Sequence, residues 1–432
     1  MQASVNEREL VLDMLLQITR DGEYSHIVIK NVLDKYQYLD KRERAFITRV
    51  VNGTLERMIE IDYIINQFSK VKVNKMKPVI RTILRSSVYQ MKYMDSVPDS
   101  AICNEAVKLA GKRGFVNLKG FVNGVLRNIG RNLDKISYPD EKDQEAFISI
   151  KYSLPEWMVK QWLKVYDEET VKMIGKAFLE EKPLTVRFDE HKIKKAELIS
   201  ILEKEGVTAG EVPEIPCALY LSGYDHLSAL PSFCEGLYQV QDLSSMQVAL
   251  WSEVKAGDQV LDVCAAPGGK SFTLAEQMNN TGRLIACDLH PHRVELIESG
   301  AWRLHLDCVE SRVQDATLHS RDLPAADAIL CDVPCSGFGI LRRKPEIRYK
   351  DLDSIKDLPA LQLSILQTAA TYLKPGGRLV YSTCTLHKKE NEKVVSAFLD
   401  RHSAFFLAAE CTRFPCEQGS DGFYYAALER QA

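Results

Sequence analysis

No uninterrupted apolar run in the 432 residues approaches the roughly 20 needed to cross a bilayer as a helix, so no membrane span is expected. Cys-x-x-Cys pairs are also missing. The eleven cysteines are scattered, and their odd number leaves at least one unpaired, which argues against a disulfide framework or a zinc ribbon. No metal site is expected, and most of these thiols should be small buried hydrophobes. The opening residues MQASVNERELVLDMLLQ lack both a basic start and a small-residue cleavage site. They do not read as a signal peptide, and the expected location is cytoplasmic. Compositional bias is absent too: with 45% hydrophobic and 27% charged residues, disordered and fibrous classes are excluded. A chain of this length should hold two or three domains.

The net charge of −3 is silent about nucleic acid until it is divided. Residues 1–137 carry 23 Lys and Arg against 15 Asp and Glu, whereas the remainder carries 33 against 44. A basic N-terminal part on an acidic body suggests contact with a polyanion. The same part has apolar residues at three- and four-residue spacing (Leu10, Met14, Ile18; then Phe46, Val50, Leu55, Ile59), which predicts an all-α domain over 1–137. Residues 138–182 read as a helical linker region. Residues 183–246 read as a small α+β unit, with strands at 184–188, 218–221 and 238–241 and a charged helix over 194–204.

From 247 to 432 apolar strands alternate with amphipathic helices. Strand candidates at 259–263, 283–287, 310–313, 328–331 and 378–381 predict a mostly parallel, doubly wound α/β sheet. Ligands of such sheets bind beyond the carboxyl ends of the strands. The first strand runs into Cys264, Ala265, Ala266, Pro267, Gly268, Gly269 and Lys270, a small-residue turn that lets backbone approach a ligand. It is not a P-loop, because the position five before Gly269 is Cys264, and it lacks Gly-x-Gly-x-x-Gly. Asp288 ends the second strand, where a carboxylate meets ribose hydroxyls. Asp315 follows the third and is placed to accept from an adenine amine. The expected ligand bears adenosine.

Two further strands end in Asp332-Val333-Pro334-Cys335-Ser336-Gly337 and Tyr381-Ser382-Thr383-Cys384-Thr385. A thiol flanked by Pro and Ser-Gly, or by two threonines, fits a buried core poorly. Methylation of a pyrimidine carbon calls for such a group, because carbon 5 of cytosine is too weak a nucleophile by itself. A thiolate adding to carbon 6 makes carbon 5 enamine-like, an acid near nitrogen 3 absorbs charge, and a base later removes the carbon 5 proton. Asp332 is placed to contact the cytosine edge. Both thiols compete for the nucleophile's role.

The motifs DVCAAPGGKS (262–271), DVPCSG (332–337), RRKPEIR (342–348) and YSTCT (381–385), with QDLSSM (241–246) and DGFYYA (421–426), resemble the RNA cytosine-5 methyltransferase family named for nucleolar proteins and Sun/Fmu. Arg187-Phe188-Asp189 departs from that family's usual Arg-x-Asn. RAFITRVVNGTL (44–55), the stretch 83–110 and GFVNGVLRNI (120–129) resemble the helical RNA-binding fold of the antitermination protein NusB. The fusion resembles the branch of the family that modifies 16S ribosomal RNA. The resemblance implies a NusB-like N-terminal domain and a C-terminal Rossmann-like methyltransferase domain dependent on S-adenosyl-L-methionine. It assigns Cys264 to Lys270, Asp288, Asp315 and Asp332 to that cofactor, Cys384 to nucleophilic attack and Cys335 to product release. A monomer acting on free RNA or an early assembly intermediate is the expected arrangement. The alternatives are a transfer-RNA methyltransferase and a non-catalytic RNA-binding assembly factor.

Overall fold

The computed structural model describes residues 6–417 and 420–432. The chain divides into two compact units, one running up to Glu180 and including Leu341–Lys350, the other formed by Glu181–Ile340 and Asp351–Ala432.

The first unit is helical: α1 (Glu7–Asp21), α2 (Ser25–Lys35), α3 (Lys41–Glu56), α4 (Met58–Phe68), α5 (Pro78–Tyr93), α6 (Asp99–Lys112), α7 (Lys119–Gly130), α8 (Gln144–Lys151), α9 (Glu156–Trp162) and α10 (Glu168–Ala177). Local sequence sets the boundaries. Asn6 caps α1 by accepting from Glu9 N, Asp40 and Glu43 form a reciprocal capping box on α3, and Pro78 stands in the first turn of α5. Leu10, Met14 and Ile18 lie in one buried cluster with Val50 and Leu55, while Phe46 packs on its rim. The segment Leu341–Lys350, which carries the RRKPEIR motif, belongs to this unit. Fully buried Arg348 donates to the carbonyls of Leu341 (2.7 Å) and Phe178 (3.3 Å), and Glu346 accepts from Ser25 N (3.2 Å) and Oγ (2.7 Å).

The second unit holds two sheets. The smaller is antiparallel, in the order β2 (Thr208–Glu211), β3 (Ala218–Ser222), β1 (Leu184–Arg187), β4 (Gln239–Val240). Helix α11 (Lys195–Lys204) lies between β1 and β2 in the chain, and the short α12 (Pro231–Cys234) precedes β4. The larger sheet has seven strands, β5 (Gln259–Asp262), β6 (Arg283–Asp288), β7 (Val309–Val313), β8 (Ala326–Asp332), β9 (Leu373–Thr383), β10 (Phe405–Arg413) and β11 (Phe423–Arg430). Their order is β10-β11-β9-β8-β5-β6-β7. Helices α13 (Leu243–Leu250), α14 (Gly269–Gln277), α15 (Pro291–Arg303), α16 (Leu358–Ala370) and α17 (Glu392–Leu399) accompany it.

The five strands expected in this region form the parallel part, and the antiparallel hairpin β10–β11 makes the sheet mixed. That hairpin and β2 were not expected. Strand β11 reads Phe-Tyr-Tyr-Ala-Ala-Leu and is buried on both faces, so it shows no alternation. The Thr-Ala-Gly-Glu of β2 is a half-exposed edge with low strand propensity.

Arg187, in the position that departs from the family pattern by its neighbour Asp189, is 2% exposed and ion-pairs with Glu276 of α14, itself 9% exposed. Its Nε donates to Gln241 Oε1 at 2.8 Å, and burial lowers its pKa to about 10. Replacing Arg187 by Met strands Glu276 without a counter-charge, which should cost about 3–5 kcal/mol, while Arg187→Met with Glu276→Leu should recover most of it. Urea unfolding checks this; a loss in the single variant below about 1 kcal/mol would mean that the pair behaves as a solvated surface bridge.

Candidate active site

The parallel strands reverse direction of succession at β5 and β8, and a crevice at the carboxyl ends of two such strands is where doubly wound sheets hold ligands. The loop 263–268 leaves β5 there and enters α14 at its N-terminus. Gly268 sits at φ +105°, and a Cβ on it would run into the Phe272 ring, so only glycine closes this turn. Along the same edge, β6 ends in Asp288, Asp315 follows β7, and β8 ends in Asp332.

Each carboxylate has a distinct setting. Asp288 is buried and accepts from Ala266 N (3.3 Å) and His290 N (3.2 Å), with Arg293 Nη1 at 3.2 Å. Asp315 Oδ1 accepts from Thr317 N (2.9 Å) and Oγ1 (2.6 Å), and its other oxygen takes no hydrogen bond from the described residues. Asp332 accepts from Ser382 Oγ (2.6 Å) and Lys270 Nζ (2.7 Å). Burial works against the charge of Lys270, but Asp332 beside it more than compensates and holds its pKa above the usual value. Behind them, Asp262 is pushed up to about 7 by burial, against the pull of its Ser271 hydrogen bond of 2.6 Å. Cys264 is half-buried, and burial with the surrounding carboxylates pushes its thiol well above the usual range.

Strands β8 and β9 are parallel neighbours, with Asp332 opposite Ser382. Cys335 and Cys384, three and two residues further on, therefore meet: their sulfurs are 3.3 Å apart. Residues 381–383, 385 and 386 are buried, which leaves Cys384 the one partly accessible side chain in its stretch. The hydrogen bond with Cys384, then burial, pushes the Cys335 thiol well above its ordinary pKa. Gly339 N donates to Cys384 O at 2.9 Å, and Gly422 N to Gly339 O at 2.8 Å. A Cβ on Gly339 would lie 1.9 Å from Gly422 O, so this close crossing of three segments requires glycine. The QDLSSM motif anchors the third segment: Asp242 Oδ1 accepts from Asp421 N (3.3 Å), and Ser244 Oγ donates to Asp421 O (2.9 Å).

Several residues around the thiols were not singled out from the sequence. Gln362 of α16, Glu390 and Asn391 form a buried polar shell, and His387 contacts Glu390 at 3.0 Å. Their only sequence signal was proximity: Glu390-Asn391 follows Cys384 by six residues. Among the described residues, no group of three His, Cys, Asp or Glu is arranged to hold a metal, and no helix is long and apolar enough to cross a membrane.

The sequence profile of the 16S rRNA methyltransferase RsmB/F family matches residues 249–429, that of the NusB family residues 5–131, and that of the RsmF/B-like ferredoxin-like domain residues 154–225. A Bacillus subtilis protein named "Probable ribosomal RNA small subunit methyltransferase B" is 38% identical over 403 residues, covering 92% of this chain and 89% of its own. The chain belongs to the RsmB/F family of 16S rRNA methyltransferases. It is a ribosomal RNA methyltransferase with an N-terminal NusB domain and a ferredoxin-like middle domain. A Synechocystis protein of the same printed name is 31% identical over 447 residues, covering 99% of this chain and all of its own. The solved structure of PH0851 superposes with a TM-score of 0.82 at 24% identity over the full length of both chains, a likeness of fold.

Proposed function

We propose that the protein transfers a methyl group from S-adenosylmethionine to carbon 5 of a cytosine in 16S ribosomal RNA, through a covalent bond between Cys384 and carbon 6. The observation that carries the reading is the pair of sulfurs 3.3 Å apart at the ligand-binding edge, beside Asp332, in a chain of this family. The groups along the edge fit the cofactor. Asp288 suits the ribose hydroxyls, the open oxygen of Asp315 the adenine amine, and the backbone from Cys264 to Lys270 together with Asp332 the aminoacyl end and its cationic sulfur. When bound there, S-adenosylmethionine supplies the methyl group.

The chain's own residues do the rest. Cys384, as thiolate, gives an electron pair to carbon 6, and the displaced π electrons make carbon 5 nucleophilic. Asp332 meets the cytosine edge and, drawing a proton from the Lys270 ammonium paired with it, can protonate nitrogen 3 as charge develops there. The Cys335 sulfur, 3.3 Å from that of Cys384, lies beside the base once the adduct has formed. Once the Cys384 sulfur is bonded to carbon, the Cys335 thiol loses that neighbour's part in raising its pKa while burial remains, and it ionises more readily than before. It can then take the carbon 5 proton as the carbon 5–carbon 6 double bond reforms and expels the Cys384 thiolate. The excess of Lys and Arg over residues 1–137 favours the NusB domain as the part that meets RNA phosphates, and a cytoplasmic location accords with that substrate.

Denaturing gels with labelled RNA and cofactor separate the thiols. Cys384→Ala should abolish both methylation and the covalent adduct, whereas Cys335→Ala should form the adduct and accumulate it. An adduct in Cys384→Ala that is missing from Cys335→Ala would reverse the roles. For the cofactor, Asp288→Ala should weaken S-adenosylmethionine binding by roughly 10-fold to 150-fold, as loss of a charge-assisted acceptor of about 1.5–3 kcal/mol implies, with RNA affinity unchanged. Unchanged cofactor affinity in calorimetry would remove Asp288 from the ribose.

A further inference from the structure

Glu390 is a fully buried carboxylate whose partners are neutral or weakly basic groups. Its Oε2 accepts from Ser336 N at 2.8 Å and from Gln362 Nε2 at 3.0 Å, and its Oε1 meets His387 Nδ1 at 3.0 Å. The same Gln362 nitrogen donates to Pro334 O at 2.9 Å. Pro334 C=O belongs to the peptide before Cys335 and Ser336 N–H to the peptide after it. Both planes that aim the Cys335 side chain thus end on one carboxylate. Burial alone would raise the pKa of Glu390, but the hydrogen bonds from His387 and Ser336 hold it below the usual carboxylate value, so it serves as an ionised acceptor.

The next residue brackets the other thiol in the same manner. Asn391 is buried; its Oδ1 accepts from Thr383 Oγ1 at 2.6 Å, and its Nδ2 donates to Thr385 O at 2.9 Å. Cys384 lies between those two threonines. Glu390 O also accepts from Tyr381 OH at 2.5 Å, which pins the turn to β9. One turn at the entrance to α17 therefore sends one side chain to each cysteine loop. The loops also touch each other directly, through the two sulfurs, Val333 N to Ser382 O at 3.1 Å, Gly339 N to Cys384 O, and Ser336 Oγ to Thr385 Oγ1 at 2.7 Å.

From this geometry we infer that Glu390 and Asn391 are separate positioning residues for the two halves of the reaction, Glu390 for product release by Cys335 and Asn391 for attack by Cys384. The inference rests on the covalent reading above. Isosteric variants test it. Glu390→Gln leaves one acceptor oxygen for three donors, and Asn391→Asp keeps the acceptor for Thr383 but removes the donor to Thr385 O.

Rapid-quench single turnovers of the full chain, resolved on denaturing gels, give the rate of adduct formation and the rate of adduct decay. Cys384→Ala and Cys335→Ala run alongside, and calorimetry reports S-adenosylmethionine binding. Glu390→Gln should slow decay by about tenfold or more with formation within about twofold of wild type, and Asn391→Asp should do the reverse, as loss of one buried hydrogen bond on each side implies. Cofactor affinity should be unchanged in both. Parallel slowing of both rates in either variant, or loss of cofactor binding, overturns the division and reduces the turn to general support. If the two cysteine variants fail to show their own opposite signatures, the covalent reading falls and this inference with it.

Discussion

Two sulfurs can stay 3.3 Å apart only if the loops that carry them are unable to drift independently, and much of the C-terminal sheet answers to that constraint. The parallel pairing of β8 with β9 sets the register, placing Asp332 opposite Ser382 and so delivering the cysteines to one point. The Gly339–Gly422 crossing ties the Cys335 loop to the start of β11, and the QDLSSM turn holds that start in place. Motifs far apart in the chain converge on one geometric task. The antiparallel hairpin supplies the third segment of the crossing.

This arrangement is built from buried polar groups rather than from apolar packing. Glu390, Asn391, Ser336, Thr383, Thr385 and Gln362 are all buried within one small region. Each would be costly to bury alone, and each makes at least one hydrogen bond to another part of the region, only the Gln362 Oε1 being left without a partner among the described residues, so the network tolerates few alternative packings. A core of leucines would hold the sheet together equally well but would leave the thiols free to choose among rotamers. The same logic explains the Lys270–Asp332 pair: a fixed ammonium beside a fixed carboxylate keeps the polar side of the crevice in one state before any ligand arrives.

Much of this was legible in the sequence because the chemistry-bearing residues sit next to strong local signals. Apolar runs ending in Asp288 or Asp332, and the Pro-Gly-Gly turn after β5, mark strand ends whatever the tertiary context. The helical period of residues 10–18 placed that face in the core for the same reason. Strand β11 escaped because a strand buried on both faces has no alternation to read, β10 because it is exposed or half-exposed along its length, and half-exposed β2 because Ala-Gly offers none. Glu390 and Asn391 escaped for a different reason. A charged stretch such as His387-Lys388-Lys389-Glu390 reads as solvated surface, and only the fold shows that one of its four side chains turns fully inward. Likewise RRKPEIR marks the family in sequence, but that Arg348 is buried on the carbonyls of Leu341 and Phe178 follows from packing alone.

In the proposed mechanism Cys384, and not Cys335, bonds to the base. RNA transcribed with 5-fluorocytidine has no proton on carbon 5 to lose, so an adduct formed on it cannot resolve once methylated. Incubating the wild-type protein with such small-subunit RNA and S-adenosylmethionine, digesting the trapped complex and mapping it by tandem mass spectrometry identifies the modified sulfur. The account predicts the methylated fluoropyrimidine nucleotide on the peptide containing Cys384, with Cys335 unmodified; the same mass on the Cys335 peptide would contradict it.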